Sequence, residues 1–344
     1  MGSGQHAVVA ARCRSDRART IYAAVDLGTY NCRMLIAEAE AGSKLNIVGA
    51  LSKASRLGEG LAASGRLCEP AIGRTIEALR LCARRMRAMG VGRARAVGTE
   101  ACRRAANGDQ FIGRVRAETG IELHTISSDE ESTLTLGGCA PLLDRCHPRA
   151  LLFDIGGGST EVVWVEQQPH RPPRRLASLS LPAGVLTLTE QFGNDGVEPA
   201  AFQTMVDTID AGLAAFDRSH GIGAVVARGG VQMIGTSGTV TTLAAVALGL
   251  RRYRRARVDG LDMTFETIAA LARELATSDW RARAAIPCIG PARADLIVAG
   301  CAILGAIHRR WPAKYLRLAD RGIREGLLLR MLAEDRAAAE ADAS

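Results

Sequence analysis

Apolar residues recur along the chain both in short continuous runs and in longer runs at helical spacing. The continuous runs at residues 21–37 and 45–51 predict β-strands. Between Pro70 and Gly90, apolar residues instead recur every three or four positions, which predicts a helix with one apolar face, Ile72, Ile76, Leu79, Ala83 and Met86. Strand and helix patterns alternate in this way through most of the sequence, which is typical of an α/β protein.

Further elements follow in the first half of the chain. A short strand at residues 95–98 leads into a loop that carries Arg103. Asn107 is expected to cap a helix that stops before Gly120, and Asp129 opens a short acidic helix. Charged side chains are thus concentrated at the ends of these predicted elements.

A glycine-rich turn lies within residues 150–165, which read ALLFDIGGGSTEVVWV. An apolar run ends in Asp154, three glycines follow, and Glu161 precedes a second apolar run. Glycines allow backbone N–H groups to approach a phosphate, and carboxylates close to phosphate usually imply Mg²⁺. A tight structural hairpin would use the same residues, so this turn alone leaves both interpretations open.

Two further loops resemble this turn in their chemistry. Residues 23–37 place a strand before Asp26, Gly28 and Thr29 and a second apolar strand after them. At residues 234–239 a strand leads into small residues and the start of a helix, which is another arrangement that binds anions. Two similar phosphate loops indicate two related half-domains that face each other across a cleft.

The three motifs, DLGT at residue 26, DIGGGSTE at residue 154 and GTSGT at residue 235, occur in this order. Together they resemble the superfold of actin, heat-shock chaperones and sugar kinases, and more narrowly its exopolyphosphatase and guanosine pentaphosphate phosphohydrolase branch. The resemblance covers residues 20–332, with further family-like stretches at residues 56–61, 98–103, 126–131, 293–295 and 320–326.

This resemblance implies an α/β fold of two actin-like (ribonuclease H-like) domains that face each other across a cleft. Domain I is expected at residues 20–149 and domain II at residues 150–333, with the C-terminal helix able to pack back on domain I. Residues 1–19 are expected to be a flexible lead-in and residues 334–344 a flexible tail.

The resemblance also implies roles for individual residues. Glu131 ends the acidic segment and matches the general base of the family, although acidic residues at a helix start also complement its dipole. The implied ligands of Mg²⁺ are Asp26, Asp154 and Glu161. The residues implied to bind substrate phosphates, or to line the cleft beside them, are Gly28, Thr29, Arg56, Arg103, Gly156, Gly157, Gly158, Ser159, Gly235, Thr236, Ser237 and Gly238.

Two positions depart from the family pattern. Tyr30 stands where relatives commonly carry a small polar residue, usually Asn, and a phenol there would narrow the cleft or stack on a substrate group. Thr187 stands where relatives commonly have an arginine, so that binding of one phosphate is weakened or the chain-length preference is changed. Neither position removes the implied base or the metal carboxylates.

Composition narrows the choice of partners and compartment. The 344 residues carry a formal net charge of +8, nearly all from arginine, which favours polyanionic partners, whereas the 4% aromatic content argues against nucleic acid. Nine scattered cysteines without a C-x-x-C pair indicate a reducing cytoplasm and no zinc site. No apolar run long enough for a membrane span and no secretory signal are recognised.

The leading hypothesis is a Mg²⁺-dependent exopolyphosphatase that releases terminal orthophosphate from inorganic polyphosphate, expected as a cytoplasmic homodimer because relatives are often dimers. Hydrolysis of the terminal phosphate of guanosine pentaphosphate is the nearest alternative. A sensor that binds guanosine penta- or tetraphosphate or polyphosphate without turnover, and an ATP-dependent kinase of the same superfold, also stay open.

Overall fold

Two β-sheets stand at the centre of the structure, a computed structural model that describes residues 20–39, 45–193 and 198–342. The five-stranded sheet consists of β1 (Ile21–Leu27), β2 (Asn31–Ala39), β3 (Leu45–Ala54), β4 (Arg93–Gly98) and β5 (Leu123–Thr125). The six-stranded sheet consists of β6 (Arg149–Ile155), β7 (Thr160–Glu166), β8 (Arg174–Leu181), β9 (Val231–Thr236), β10 (Asp262–Thr264) and β11 (Tyr315–Ala319). The lead-in expected at residues 1–19 lies outside the described residues.

The two sheets share one strand arrangement. The first has the order β3-β2-β1-β4-β5, and the second, read from the β8 edge, has the order β8-β7-β6-β9-β11, with β10 added at the far edge. In each sheet three consecutive strands form an antiparallel meander, and the next strand pairs in parallel with the first of the three. This repetition confirms the predicted α/β class and the two related halves.

Helices cover the faces of both sheets. In the first half they are α1 (Leu61–Ser64), α2 (Glu69–Ala88), α3 (Glu100–Arg104), α4 (Gly108–Thr119) and α5 (Ser128–Cys139). In the second half they are α6 (Val185–Phe192), α7 (Pro199–His220), α8 (Ile222–Ala227), α9 (Gly238–Ala247), α10 (Arg255–Val258), α11 (Phe265–Thr277), α12 (Trp280–Ala285), α13 (Gly290–Ala294), α14 (Ile297–Arg310) and α15 (Ile323–Ala341). None of the described helices is both long and apolar enough to cross a lipid bilayer.

Apolar helix faces build a separate core on each sheet. Ile76 and Leu79 of α2, together with Phe111 of α4, pack against the first sheet, as the helical spacing predicts. The larger core contains Leu213 and Trp311 and lies between the second sheet and helices α7, α11 and α14. Each half therefore buries an apolar core of its own.

Asn107 occupies the N-cap position of α4 as predicted, but its side chain makes no capping hydrogen bond. Its side-chain oxygen accepts a hydrogen bond from the N–H of Leu67 at 2.9 Å, and its amide nitrogen donates to the carbonyl of Leu67 at 3.0 Å. The predicted helix start is therefore confirmed, while the buried side chain ties α4 to the segment before α2.

Helices α5 and α15 connect the two halves by crossing each other. Leu136 of α5 packs against the second sheet, whereas Leu327 and Met331 of α15 pack against the first. The backbones touch at the crossing, because a Cβ added to Gly138 would lie 2.0 Å from the carbonyl oxygen of Gly322, and one added to Gly326 would lie 2.1 Å from that of Leu134. Each half thus contributes the helix that covers the other.

The C-terminal segment differs from its prediction. A flexible tail was expected from residue 334, but α15 continues to Ala341. The expectation is wrong for this part because side chains fix the helix to the first sheet: Arg95 pairs with Glu334 at 2.9 Å, and the Tyr22 hydroxyl donates to Asp335 at 2.7 Å.

Candidate active site

The hairpins β1–β2 and β6–β7 place charged side chains at equivalent positions. In the first hairpin Asp26 stands opposite Arg33, and in the second Asp154 stands opposite Glu161. The turn has the same length in both hairpins, since the two members of each pair lie seven positions apart in the sequence. The two halves therefore present matching aspartates but opposite charges on the neighbouring strand.

The two turns are in direct contact with each other. A Cβ on Gly157 would lie 2.9 Å from the backbone nitrogen of Tyr30, and one on Gly158 would lie 2.6 Å from the hydroxyl oxygen of Thr29. The triple glycine is thus required in part for the close packing of two protein loops, which supports the hairpin interpretation as well as the phosphate one.

Hydrogen bonds within the two turns reduce the number of backbone N–H groups that are free to donate to a phosphate. The N–H of Gly28 donates to Asn31 and that of Gly156 donates to Ser159, both at 2.9 Å. These two N–H groups close their own turns. The N–H groups of Gly157 and Gly158 have no acceptor within residues 20–39, 45–193 and 198–342, so they stay available to a ligand.

A cavity of about 110 Å³ lies between the hairpins and the start of α9. It exceeds several-fold the roughly 10–15 Å³ that one water requires, so a phosphoryl group and a water have room. Most of the predicted site residues line it: Asp26, Gly28, Thr29, Glu131, Asp154, Gly156, Gly157, Gly158, Ser159, Glu161, Ser237 and Gly238.

Three predicted phosphate-binding residues are engaged elsewhere. Gly235 is buried in β9, where a Cβ would lie 2.8 Å from the ring of Phe153. Thr236 donates its hydroxyl to the carbonyl of Arg321 at 2.6 Å. Arg56 forms an ion pair with Asp295. None of the three lines the cavity, because Gly235 is packed within its strand, Thr236 is bound to a backbone carbonyl and Arg56 is bound to a carboxylate.

Ser237 lies at the cavity and also begins α9. Its hydroxyl oxygen accepts hydrogen bonds from the N–H groups of Thr239 at 3.1 Å and Val240 at 3.3 Å. It does so with a backbone φ of 137°, which a non-glycine residue rarely adopts. Two N–H groups at the start of α9 are therefore already bound, and its hydroxyl proton is left for a ligand.

Glu131 is held at the cavity wall by local helix structure and by one arginine. Ser127 caps α5 by accepting from the N–H of Glu130 at 3.1 Å, which places buried Glu131 in the first turn. Arg103 donates to Oε2 of Glu131 at 2.7 Å and to Glu100 at 2.9 Å. Arg103, predicted to bind phosphate, therefore contacts two carboxylates, Glu131 and Glu100, and does not line the cavity.

Burial raises the pKa values of the carboxyl groups around the cavity. The pKa of Glu131 is raised well above its usual value by burial and by the negative charge of Glu161, and the Arg103 guanidinium opposes this shift. Burial raises the pKa of Asp154 to about 6, against the opposing charge of Arg33, and it raises the pKa of Asp26 as well.

Glu161 receives two hydroxyl hydrogen bonds on the same oxygen. Ser159 donates to Oε1 at 2.7 Å and Ser180 donates to it at 2.9 Å. Burial raises the pKa of Glu161, while both hydroxyls favour its ionised form. The bonds on Oε1 leave Oε2 as the oxygen available to a ligand.

The donor chemistry of the cavity fits Mg²⁺. No group of three His, Cys, Asp or Glu side chains is close enough to form a ready-made metal site within the described ranges. However, Asp26 and Asp154 lie near enough for the charge of Asp26 to raise the pKa of Asp154. A divalent cation would relieve this repulsion, and Mg²⁺ is usually held by one or two carboxylates together with substrate phosphates and waters.

Two further arginines, Arg33 and Arg293, line the cavity although the sequence motifs do not predict them there. Arg33 has its guanidinium 3.4 Å from the position a Cβ of Gly238 would take, and Arg293 donates to the Thr242 hydroxyl at 2.6 Å. In the described part of the chain neither forms an ion pair with a carboxylate, and burial together with the charge of Arg33 lowers the pKa of Arg293. The repeated spacing of Asp26–Arg33 and Asp154–Glu161 is the signal that could have revealed Arg33.

The two departures from the family pattern both lie at the glycine turn. The Tyr30 hydroxyl donates to the carbonyl of Ala292, and the Arg56 guanidinium lies 5.5 Å from its ring centre. The phenol thus bridges the two halves. The Thr187 hydroxyl lies 3.5 Å from the carbonyl oxygen of Gly158.

Comparison with known proteins gives the family. The model of the Ppx/GppA phosphatase family matches residues 35–335. This chain belongs to the Ppx/GppA phosphatase family. It is 28% identical over 324 residues to "Exopolyphosphatase 2" of Mycobacterium tuberculosis, covering 91% of this chain and 98% of that protein.

Solved structures agree with this family. The crystal structure of the Aquifex aeolicus Ppx/GppA family member is 27% identical, has a TM-score of 0.75, and aligns over 92% of this chain and 98% of its own. An exopolyphosphatase of Cytophaga hutchinsonii, 23% identical, shares the fold with a TM-score of 0.82 over 92% of this chain and 98% of its own. The predicted family and its two-domain, actin-like fold are confirmed, and the Ppx/GppA relatives support a phosphatase.

Proposed function

We propose that this chain is an exopolyphosphatase that uses Mg²⁺ to release terminal orthophosphate from inorganic polyphosphate. The observation that carries the proposal is that buried Glu131 lines the same cavity as Asp154, Glu161 and the free N–H groups of the glycine turn. The exopolyphosphatase name of the Mycobacterium tuberculosis relative supports this choice of substrate.

The terminal phosphoryl group binds at the contact between the two hairpins. The N–H groups of Gly157 and Gly158 donate to its oxygens, whereas the Ser159 hydroxyl donates to Glu161 beside them. Asp26 and Asp154, with Oε2 of Glu161, would hold Mg²⁺, which when bound neutralises charge on the phosphoryl oxygens. Arg33 and Arg293 bind the phosphates that follow, because both are cavity-lining guanidinium groups without a carboxylate partner among the described residues.

Glu131 acts as the general base. A water attacks the terminal phosphorus, its proton moves to Glu131, and the phosphoanhydride bond breaks, so that the electron pair stays on the shortened chain. Oε2 accepts from Arg103, so Oε1 is the oxygen available to the water. Burial raises the pKa of this carboxyl, which makes it a stronger base once ionised.

The test compares phosphate release from long polyphosphate and from guanosine pentaphosphate, with and without Mg²⁺. We expect Mg²⁺-dependent release that is faster from polyphosphate. Glu131→Gln should lower kcat by about 10²- to 10⁴-fold and leave substrate binding largely intact.

Each alternative function predicts a different result in these assays. Faster release from guanosine pentaphosphate would show that this nucleotide, and not polyphosphate, is the preferred substrate. Tight binding without release would indicate a sensor, and ATP-dependent phosphorylation of an acceptor would indicate a kinase. Unchanged turnover in the Glu131→Gln variant would show that Glu131 is not the general base.

A further inference from the structure

A dense basic segment follows α9 and runs into α10. Residues 251–257 read RRYRRAR, and four of the five arginines are exposed to solvent: Arg251, Arg252, Arg254 and Arg257. Their guanidinium groups form no ion pair within the part of the chain that the structure describes. We call residues 251–257 the basic segment.

Two side chains fix the basic segment to the protein. The Tyr253 hydroxyl donates to Asp320 at 2.7 Å, and Arg255 donates to Oε1 of Glu325 at 2.6 Å. The carbonyl of Leu250, just before the segment, accepts from the thiol of Cys288 at 2.7 Å. The backbone is therefore held while the remaining arginines point to solvent.

These anchors lie beside the cavity. Asp320 and Glu325 flank Ile323, which lines the cavity, and the second carboxylate oxygen of Glu325 accepts from the N–H of Gly322 at 2.9 Å. Tyr253 also acts electrostatically on Arg293, one of the two cavity arginines. The basic segment therefore lies close to the cavity wall and to Arg293.

We propose that the basic segment binds the distal part of an inorganic polyphosphate chain whose terminal phosphate lies in the cavity. This inference rests on the proposed function. Arginine suits the repeated phosphates because its planar guanidinium binds phosphate oxygens in pairs, and a flexible polyanion can reach several arginines at once. Single-stranded nucleic acid fits less well, because the one aromatic ring in the segment, Tyr253, is fixed by its hydroxyl and no second ring is present for base stacking.

The chain offers a matched control on α2. Arg84, Arg85 and Arg87 are also exposed and form no ion pair among the described residues, but no residue of α2 lines the cavity. Replacing these three by Gln removes the same charge as replacing Arg251, Arg252 and Arg254 by Gln. Both anchors, Tyr253 and Arg255, are kept.

The experiment measures KM and kcat for long polyphosphate and for tripolyphosphate at two salt concentrations. In the basic-segment variant we expect KM for the long chain to rise about ten-fold with kcat unchanged, because three exposed charge contacts are lost. KM for tripolyphosphate should stay as in the wild type, and the salt dependence of KM for the long chain should weaken. The α2 variant should behave like the wild type.

Three results would overturn the inference. An equal rise in both variants would indicate a general charge effect, and an equal rise for tripolyphosphate would indicate damage to the cavity. Loss of single-stranded RNA binding with unchanged KM for polyphosphate would make nucleic acid the ligand of the segment.

A separate binding measurement distinguishes this inference from the proposed function. Retention of long polyphosphate by the wild type and both variants is compared by gel shift in the absence of turnover. If the wild type releases no phosphate but only the basic-segment variant loses polyphosphate binding, the proposed hydrolysis fails and the docking site stands. If all three proteins bind polyphosphate equally, the docking site is wrong whatever the activity.

Discussion

Arg103 donates one hydrogen bond to the carboxylate of Glu131 at 2.7 Å and another to Glu100 at 2.9 Å. Because its guanidinium is satisfied by two carboxylates, we expect Arg103 to act on the proposed reaction through Glu131 rather than by binding phosphate. Its positive charge opposes the burial that raises the pKa of Glu131.

Arg103→Gln is therefore expected to change kcat and its pH profile. Without the guanidinium the pKa of Glu131 rises further, so the acid limb of kcat should move up by about one pH unit, with little change in KM. Arg104→Gln is the control, because Arg104 is exposed and lies 3.7 Å from Glu100. A rise in KM with an unchanged pH profile would instead indicate that Arg103 binds a substrate phosphate directly.

Ser180 does not line the cavity, but it is expected to affect the affinity for Mg²⁺. Its hydroxyl donates to Oε1 of Glu161 and favours the ionised carboxylate. Ser180→Ala should raise the pKa of Glu161 and increase the Mg²⁺ concentration for half-maximal activity about ten-fold at pH 7, with a smaller effect at pH 9. Ser178→Ala, on the same strand, should have no such effect, and equal behaviour of the two variants would contradict the role of Ser180.

Asp154 is expected to lower the stability of the metal-free protein at neutral pH. Its pKa is raised from 3.8 to about 6 by burial, so the folded state binds the proton more tightly than the unfolded chain. The free energy of unfolding should therefore fall as the pH rises from about 4 to about 6, and it should stay low above that range.

Asp154→Asn removes this charge, so its Tm in EDTA should exceed that of the wild type by on the order of 5 °C at pH 8 and equal it near pH 4. Thermal denaturation followed by circular dichroism at pH 4, 6 and 8 gives the comparison. Added Mg²⁺ should raise the Tm of the wild type more than that of the variant. A Tm difference that is the same at every pH would contradict the destabilisation of the folded protein by the buried charge of Asp154.

Local sequence patterns predicted those features of the structure that depend on residues close together in the sequence. Strand ends, the two Asp-x-Gly hairpins and the acidic start of α5 follow from spacing, turn chemistry and helix signals, and most of the residues predicted from them line the cavity. The predicted tail failed because the contacts that fix Glu334 to Arg95 join positions 239 residues apart.

The partners of polar side chains could not be predicted for the same reason. Arg56 pairs with Asp295 across the two halves, and Arg103 pairs with Glu131 between separate elements. A sequence motif identifies an arginine near a phosphate loop, but only the packed structure decides whether a carboxylate or a ligand satisfies it. The general cleft was therefore predictable, while the individual hydrogen bonds were not.

The crossing of α5 and α15 gives a prediction in which adjacent glycines behave in opposite ways. A Cβ at Gly137 meets no atom within 4 Å, so Gly137→Ala should stabilise the protein by about 0.5–1 kcal/mol, because alanine is the better residue in a helix interior. A Cβ at Gly138 would lie 2.0 Å from the carbonyl oxygen of Gly322, so Gly138→Ala must push α5 away from α15.

Because α5 carries Glu131 and α15 begins at Ile323, which lines the cavity, a shift between these helices displaces Glu131, the proposed base, relative to the glycine turn. Gly138→Ala should therefore lower kcat by on the order of 10²-fold, since a displacement of about 1 Å has effects of this size. Urea unfolding and steady-state kinetics on both variants make the comparison. Equal stability and equal kcat for the two alanine variants would show that the helix crossing tolerates a side chain and does not fix the position of Glu131.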